Sequence, residues 1–271
     1  MNQQPIGIFD SGIGGLTVAH AICNALPHEN IIYYGDTAHL PYGDKSAQAV
    51  TEFSIGITRF LIEQGCKLVV VACNTASAAA YPALQEKFGK QVHLLNVIDP
   101  MIAHIQQYHA QENIGIIATK GTVNSKVYPN KLASLGITKV NSLATPLLVH
   151  LIEEGFSQHP GSRLLVAEYL HQATLKDIEV LVLACTHYPI IKTIIEDYFQ
   201  HRVKVLDSTL ITAASVKHLL TEFDQLNNQT VSGTKQFYVS DYTAAFEQVT
   251  KVFWGASIHL EQHNIWKTAS N

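Results

Sequence analysis

Charge is scarce in this chain. Asp, Glu, Lys and Arg make up 15% of its 271 residues, and 18 basic against 22 acidic side chains give a formal net charge of −4. No basic run is clustered along the sequence. A positive face able to displace counterions from nucleic acid is therefore missing, and no nucleic-acid partner is expected. No apolar run approaches the roughly 20 residues that a membrane helix needs. The opening Met1-Asn2-Gln3-Gln4-Pro5 has neither a basic nor an apolar leader region before Ile6 begins a strand, so no membrane association and a cytoplasmic setting are expected. Cysteine is rare too, with Cys23, Cys66, Cys73 and Cys185; thiols stay reduced in that setting, and no disulfide framework is implied. There is no G-x-x-x-x-G-K-[ST] and no G-x-S-x-G, which leaves nucleotide triphosphate and nucleophile-elbow chemistry without support. Fourteen histidines are present, yet His259 and His263 bracket a glutamate in the wrong place for H-E-x-x-H, and no third ligand is evident. No metal or cofactor is expected.

What is present is hydrophobic and repeated. Apolar residues reach 47%, enough for a sizeable core in one large domain or two modest ones. The run Leu68-Val69-Val70-Val71-Ala72-Cys73-Asn74-Thr75 has an echo in Val180-Leu181-Val182-Leu183-Ala184-Cys185-Thr186-His187. Both are rich in Val and Leu without alternation, as in strands buried on both faces of a parallel sheet. Each ends in a cysteine followed by small polar residues suited to capping a helix. A thiol placed there sits beside unpaired N–H groups that favour an anion. Taken singly, each cysteine reads as a small buried hydrophobe; the repeated context argues for a matched pair.

Two further landmarks recur in the same order at nearly the same spacing. The strand opening at Ile6 returns at Ile114, and Val97-Ile98-Asp99 returns as Val205-Leu206-Asp207. The period is too long for a solenoid and marks an internal duplication of an α/β unit. The first landmark, Ile6 to Val18, reads as strand, glycine-rich turn and helix. It fails as a dinucleotide fingerprint because Thr17 stands at the third glycine position. It remains a good anion cradle, with Asp10 ending the strand either as a helix cap or aimed at the cradle. In the second copy Ala118 replaces Asp10, Thr119-Lys120-Gly121-Thr122 follows as a glycine turn, and Asn74-Thr75 becomes Thr186-His187. His187 next to a candidate nucleophile is suited to take the thiol proton or to stabilise the thiolate. Glu153 and Glu154 read as a solvated helix face or as carboxylates brought to a cleft. Cys23 and Cys66 lack a capping sequence and read as packing residues. The last 60 or so residues are too few for a domain of this class and should complete one of the two units.

Asp10-Ser11-Gly12-Ile13-Gly14-Gly15, Gly35-Asp36-Thr37 with Pro41-Tyr42-Gly43, Ala72-Cys73-Asn74-Thr75-Ala76 and Ala184-Cys185-Thr186-His187-Tyr188-Pro189 together resemble the glutamate racemases, within the cofactor-independent aspartate/glutamate racemase family. The likeness spans essentially the whole chain in order. It implies two pseudo-symmetric parallel-sheet α/β domains with the active site in the cleft between them, residues 1–97 plus 208–271 forming one and 98–207 the other. It implies interconversion of L- and D-glutamate, the D-isomer serving peptidoglycan synthesis, by a homodimer without a cofactor. By the same resemblance Cys73 and Cys185 are the acid/base pair, Cys73 acting on D-glutamate and Cys185 on L-glutamate. Asp10 assists the first thiol, and His187 with Glu153 the second. Asp10, Ser11, Tyr42, Gly43, Asn74, Thr75, Thr186 and His187 are expected to line the substrate site. The chain departs from the pattern at His39, where many relatives carry Arg, and at His150, where they often carry Pro; neither falls on a motif position.

Inverting an α-carbon without a cofactor requires a base on one face and an acid on the other, which two thiols across a cleft provide. Alternatives remain at this point. They are a racemase of aspartate or another amino acid on the same scaffold, a thiol redox protein using Cys73 and Cys185, and a non-catalytic binding protein. The redox reading is disfavoured because C-x-x-C is lacking and the pair lies in separate units.

Overall fold

The computed structural model describes residues 3–266. The first unit runs β1 (Ile6–Asp10), α1 (Leu16–Ala25), β2 (Ile31–Gly35), α2 (Ala47–Glu63), β3 (Leu68–Val71), α3 (Asn74–Phe88) and β4 (His93–Asn96). Helix α4 (Ile98–Tyr108) leads into β5 (Ile114–Ala118), α5 (Lys120–Ser125), α6 (Val127–Ser134), β6 (Val140–Ala144), α7 (Leu147–Glu153) and α8 (Pro160–Leu170). Then come β7 (Val180–Ala184), α9 (Lys192–Tyr198), β8 (Lys204–Asp207), α10 (Ser208–Glu222), β9 (Lys235–Val239), α11 (Ala244–Trp254) and β10 (Glu261–Gln262).

The duplication is visible in the sheets. One sheet has the order β10-β9-β2-β1-β3-β4 and the other β6-β5-β7-β8, so the second repeats the β2-β1-β3-β4 part of the first strand for strand. Every pairing is parallel, and Ile6 faces Leu68 as Ile114 faces Val180. The chain is thus two parallel-sheet α/β domains, and β9 and β10 extend the first sheet as the short C-terminal stretch suggested. Within β1 and β3 the apolar side chains divide by period two. Ile6, Ile8, Leu68 and Val70 join a core running through α1, α4 and α10 into the second sheet, while Phe9, Val69 and Val71 pack under α2 and α3. Burial on both faces is the physical reason these strands read as unbroken apolar runs. Cys23 and Cys66 sit one in each core, and burial pushes their thiols up to about 11 and about 12, as suits packing residues.

Two local expectations differ, and one strand was not foreseen. The chain after β5 makes no glycine turn: the Thr119 hydroxyl caps α5 at once by accepting from the Thr122 N–H at 3.3 Å. After Cys185 the chain enters a 3₁₀ turn, Tyr188–Ile191, before α9, so the second cysteine does not cap an α-helix as the first does; Pro189 cannot donate to a regular first turn. Strand β6, Val-Asn-Ser-Leu-Ala, gives no apolar run because it is a half-buried edge strand.

Candidate active site

In both sheets the central crevice lies between the first strand and the third, where crossovers depart in opposite directions and ligands of open α/β sheets bind. The two carboxyl ends face one another. Thr17 of α1 donates to the Thr186 carbonyl at 3.0 Å, Thr75 and Thr119 share a hydroxyl hydrogen bond at 2.8 Å, and Tyr128 of α6 donates to Asn74 Oδ1 at 2.9 Å. Both cysteines, Ser11, Tyr42, Gly43, Asn74, Thr75, Thr186 and His187 line one cavity between the units. Its volume is about 30 Å³, the room of one water molecule. Asp10 and Glu153 lie just behind this wall, on Thr186 and His187 respectively.

The two thiols have unlike surroundings. Cys73 caps α3 with extended backbone (φ −72°, ψ 122°), and its sulfur accepts the Ala76 N–H at 3.4 Å. The same thiol faces the Ser11 hydroxyl at 3.7 Å. Burial first, then the Asp10 carboxylate, push it up to about 12 against the opposing pull of Ala76 and Ser11, so this group rests as a thiol. Asp10 makes no hydrogen bond to it. Its Oδ2 accepts the Gly15 and Gly12 N–H groups at 2.9 and 3.3 Å, and its Oδ1 accepts the Thr186 hydroxyl at 3.4 Å. Asp10 therefore organises the glycine turn and Thr186 and acts on Cys73 through its charge.

Cys185, at the end of β7, lies 3.8 Å from His187 Nδ1, while His187 Nε2 is 2.9 Å from Glu153 Oε1 on α7. Burial alone would lower the imidazole's proton affinity. The sulfur on one nitrogen and the carboxylate on the other outweigh it and hold His187 well above its usual range. The resulting imidazolium offers the Cys185 sulfur a positive partner for a thiolate. Space for the ring comes from Gly14, where a Cβ would stand 2.3 Å from His187 Cε1. The Phe253 ring of α11 meets the imidazole edge to face, with centroids 5.3 Å apart. Glu154, the other member of the acidic pair, is exposed.

Anion-binding groups complete the cavity. The Ala76 N–H is taken by the Cys73 sulfur and the Ser77 N–H by the Cys73 carbonyl. The Asn74 and Thr75 N–H groups at the start of α3 have, by helix geometry, no intrahelical acceptor. Among the described residues Asn74 Nδ2 is buried with no hydrogen-bond partner, a donor whose desolvation goes uncompensated until an acceptor arrives. Tyr42 is wholly buried and turns its hydroxyl away from the cavity, donating to Asp36 Oδ2 at 2.7 Å. Pro41, Thr119 and Val149 also line the cavity and were not among the expected site residues. Thr119 was within reach of the repeat: if Ala118 matches Asp10, then Thr119 matches Ser11. Among the described residues no group of His, Cys, Asp or Glu is arranged to hold a metal, and no helix is long and apolar enough to cross a membrane.

Comparison with known proteins identifies the family. The family model described as Asp/Glu/Hydantoin racemase matches residues 16–216. A glutamate racemase of Neisseria meningitidis serogroup C / serotype 2a is 41% identical over 257 residues, covering 94% of each chain. That of Syntrophus aciditrophicus is 38% identical over 256 residues, again covering 94% of each. The crystal structure of glutamate racemase from Francisella tularensis in complex with D-glutamate superposes with a TM-score of 0.91 at 36% identity, covering 98% of this chain and 99% of the other. The match runs through both units and both cysteines' strands, and the chain belongs to the Asp/Glu/hydantoin racemase family.

Proposed function

We propose that this protein interconverts L- and D-glutamate by two-thiol proton transfer, supplying D-glutamate for peptidoglycan. The observation that carries the mechanism is the asymmetry of two thiols in one cavity: Cys73 beside Ser11 and the Ala76 N–H, and Cys185 beside a His187 that Glu153 holds. In the L-to-D direction Cys185 acts as the base that removes the α-proton of L-glutamate, and the Cys73 thiol donates its proton to the opposite face. Cys73 is left as thiolate and Cys185 as thiol, the form that accepts D-glutamate. The α-carboxylate carries the developing carbanionic charge. The Asn74 side-chain N–H and the Asn74 and Thr75 backbone N–H groups are the donors suited to it. Ser11 stands beside the Cys73 sulfur, and Thr186 directly follows Cys185. At about 30 Å³ the cavity is far smaller than glutamate, so it widens when substrate enters. We assign residues 1–97 with 208–271 to one unit and 98–207 to the other, in a cytoplasmic homodimer that uses no cofactor.

Glutamate is favoured over aspartate because the relatives aligned over the whole chain are named glutamate racemases. The substrates differ by one methylene, which a fitted pocket discriminates by about 10- to 200-fold. Chiral chromatography after incubation with each enantiomer of both amino acids tests the assignment. Glutamate should racemise from either side with aspartate slower by that margin. Faster turnover of aspartate would overturn the glutamate assignment, and retention of configuration by all four would overturn the racemase.

A further inference from the structure

Asp36, at the end of β2, is a fully buried carboxylate with four donors from three segments. Tyr42 gives its hydroxyl to Oδ2 at 2.7 Å, and His39 Nδ1 lies 2.9 Å from the same oxygen. Ser240, after β9, donates to Oδ1 at 2.8 Å. The fourth donor is the indole N–H of Trp266, which reaches Oδ1 at 2.8 Å from beyond β10. None of these groups takes part in the proton transfer above. They are nonetheless joined to it, because Tyr42 and Gly43 form a wall of the cavity that holds Cys73.

The indole sits in a site shaped for it. Gly56 of α2 leaves room for the ring: a Cβ there would stand 2.7 Å from Trp266 Cζ3. Phe53, one turn earlier on α2, meets the indole edge-on at 5.6 Å between centroids, and His39 does so at 5.0 Å. His39 is itself stacked on Phe53 at 4.0 Å, and Phe53 also touches the Tyr42 ring at 5.7 Å. A glycine inside a 17-residue helix is unfavourable for the helix, so its presence under the indole has a packing reason. The preceding turn is tied down as well, since Tyr34 donates to the His263 carbonyl at 2.9 Å.

We propose that Trp266 is a positioning residue for the substrate site. By holding one oxygen of Asp36 and covering the His39–Phe53 stack, it fixes the carboxylate whose other oxygen anchors Tyr42, and so sets the wall over Cys73. Its effect on turnover rests on the racemase reading; its effect on the wall does not. Removing the indole leaves Asp36 Oδ1 without one of its donors and opens space beside Phe53, which loosens the Tyr42–Gly43 wall before it disturbs the thiols.

Two variants of the full chain test this with readouts that a general loss of stability would not reproduce. Trp266→Ala removes the donor and the ring. Gly56→Ala evicts the ring from the other side while favouring helix α2. Loss of a hydrogen bond to a charged group should raise KM for glutamate by about tenfold and change kcat little. In parallel, iodoacetamide labelling followed by peptide mass spectrometry reads each cysteine separately. Cys73 should be alkylated about tenfold faster in both variants, with Cys23, buried in the other core, unchanged. Should Trp266→Ala not fold, Gly56→Ala carries the test. Should the wild type not racemise glutamate, the alkylation rates still decide. Unchanged Cys73 labelling would overturn the proposal, and so would Cys73 and Cys23 accelerating together, because that reports general unfolding.

Discussion

Glu153→Gln is the most informative single change in the site. The substitution keeps size and one acceptor but removes the charge that Oε1 presents to His187 Nε2 at 2.9 Å. The glutamate side chain is 18% exposed and the imidazole 5%, so solvent screens the pair little. A hydrogen bond between charged groups in such surroundings contributes about 1.5–3 kcal/mol. If the transition state uses it in full, kcat/KM falls by about tenfold to a hundredfold. Enantiomers are equal in free energy, so the equilibrium constant is fixed by symmetry and kcat/KM must fall equally in both directions. Asymmetry between the thiols can appear in kcat and KM separately, never in their ratio. The pH response has a definite sign. Burial favours the neutral ring, and Cys185 and Glu153 oppose it. Without the Glu153 charge the imidazolium gives up its proton at lower pH, and the corresponding limb of the kcat profile moves down. Circular dichroism of glutamate turnover in both directions across pH, with Glu153→Gln, His187→Gln and the double variant, measures all of this. Rates within about twofold of wild type at every pH, or single losses that simply add, would refute the relay.

Other perturbations separate the remaining parts. Asp10→Asn withdraws the charge that, after burial, raises Cys73; the pH midpoint of Cys73 alkylation should move down, and an unmoved midpoint would deny the coupling. Gly14→Ala puts a methyl where the His187 ring stands. Misplacing that ring by an ångström should cost about a hundredfold in kcat, with a melting temperature close to wild type as the control. Lys67→Met breaks a buried ion pair with Glu29 at 2.6 Å, far from the cavity. It should lower stability in urea titration by about 3–5 kcal/mol while the folded variant racemises normally.

Much of this molecule was legible in the sequence because its signals are local. The unbroken Val/Leu runs foretell strands buried on both faces, and the echo of Leu68–Cys73 in Val180–Cys185 foretells the two sheets of matching strand order. The thiols, Asn74, Thr75, Thr186 and His187 follow from what directly succeeds those runs. Contacts made across the fold were less legible. Asp10 proves to grip the glycine turn and Thr186 rather than Cys73, a choice set by the direction of one side chain. Tyr42 points its hydroxyl to Asp36, and Trp266 reaches that carboxylate from the far end of the chain. No periodicity or spacing signals a buried acceptor shared by three segments. The 3₁₀ turn after Cys185 and the edge strand β6 were hidden for a different reason: the one replaces a helix start that its residues otherwise suit, and the other buries too little to leave an apolar pattern.

Solvent exchange in single-thiol variants tests the two-thiol mechanism most directly. In D₂O, Cys73→Ala retains Cys185 and should exchange the α-proton of L-glutamate with retention. Cys185→Ala retains Cys73 and should exchange that of D-glutamate, again with retention. Neither variant should invert its substrate, since each has lost the acid on the opposite face. Racemisation by either variant at the wild-type rate would contradict a mechanism in which Cys73 and Cys185 work from opposite sides of the α-carbon.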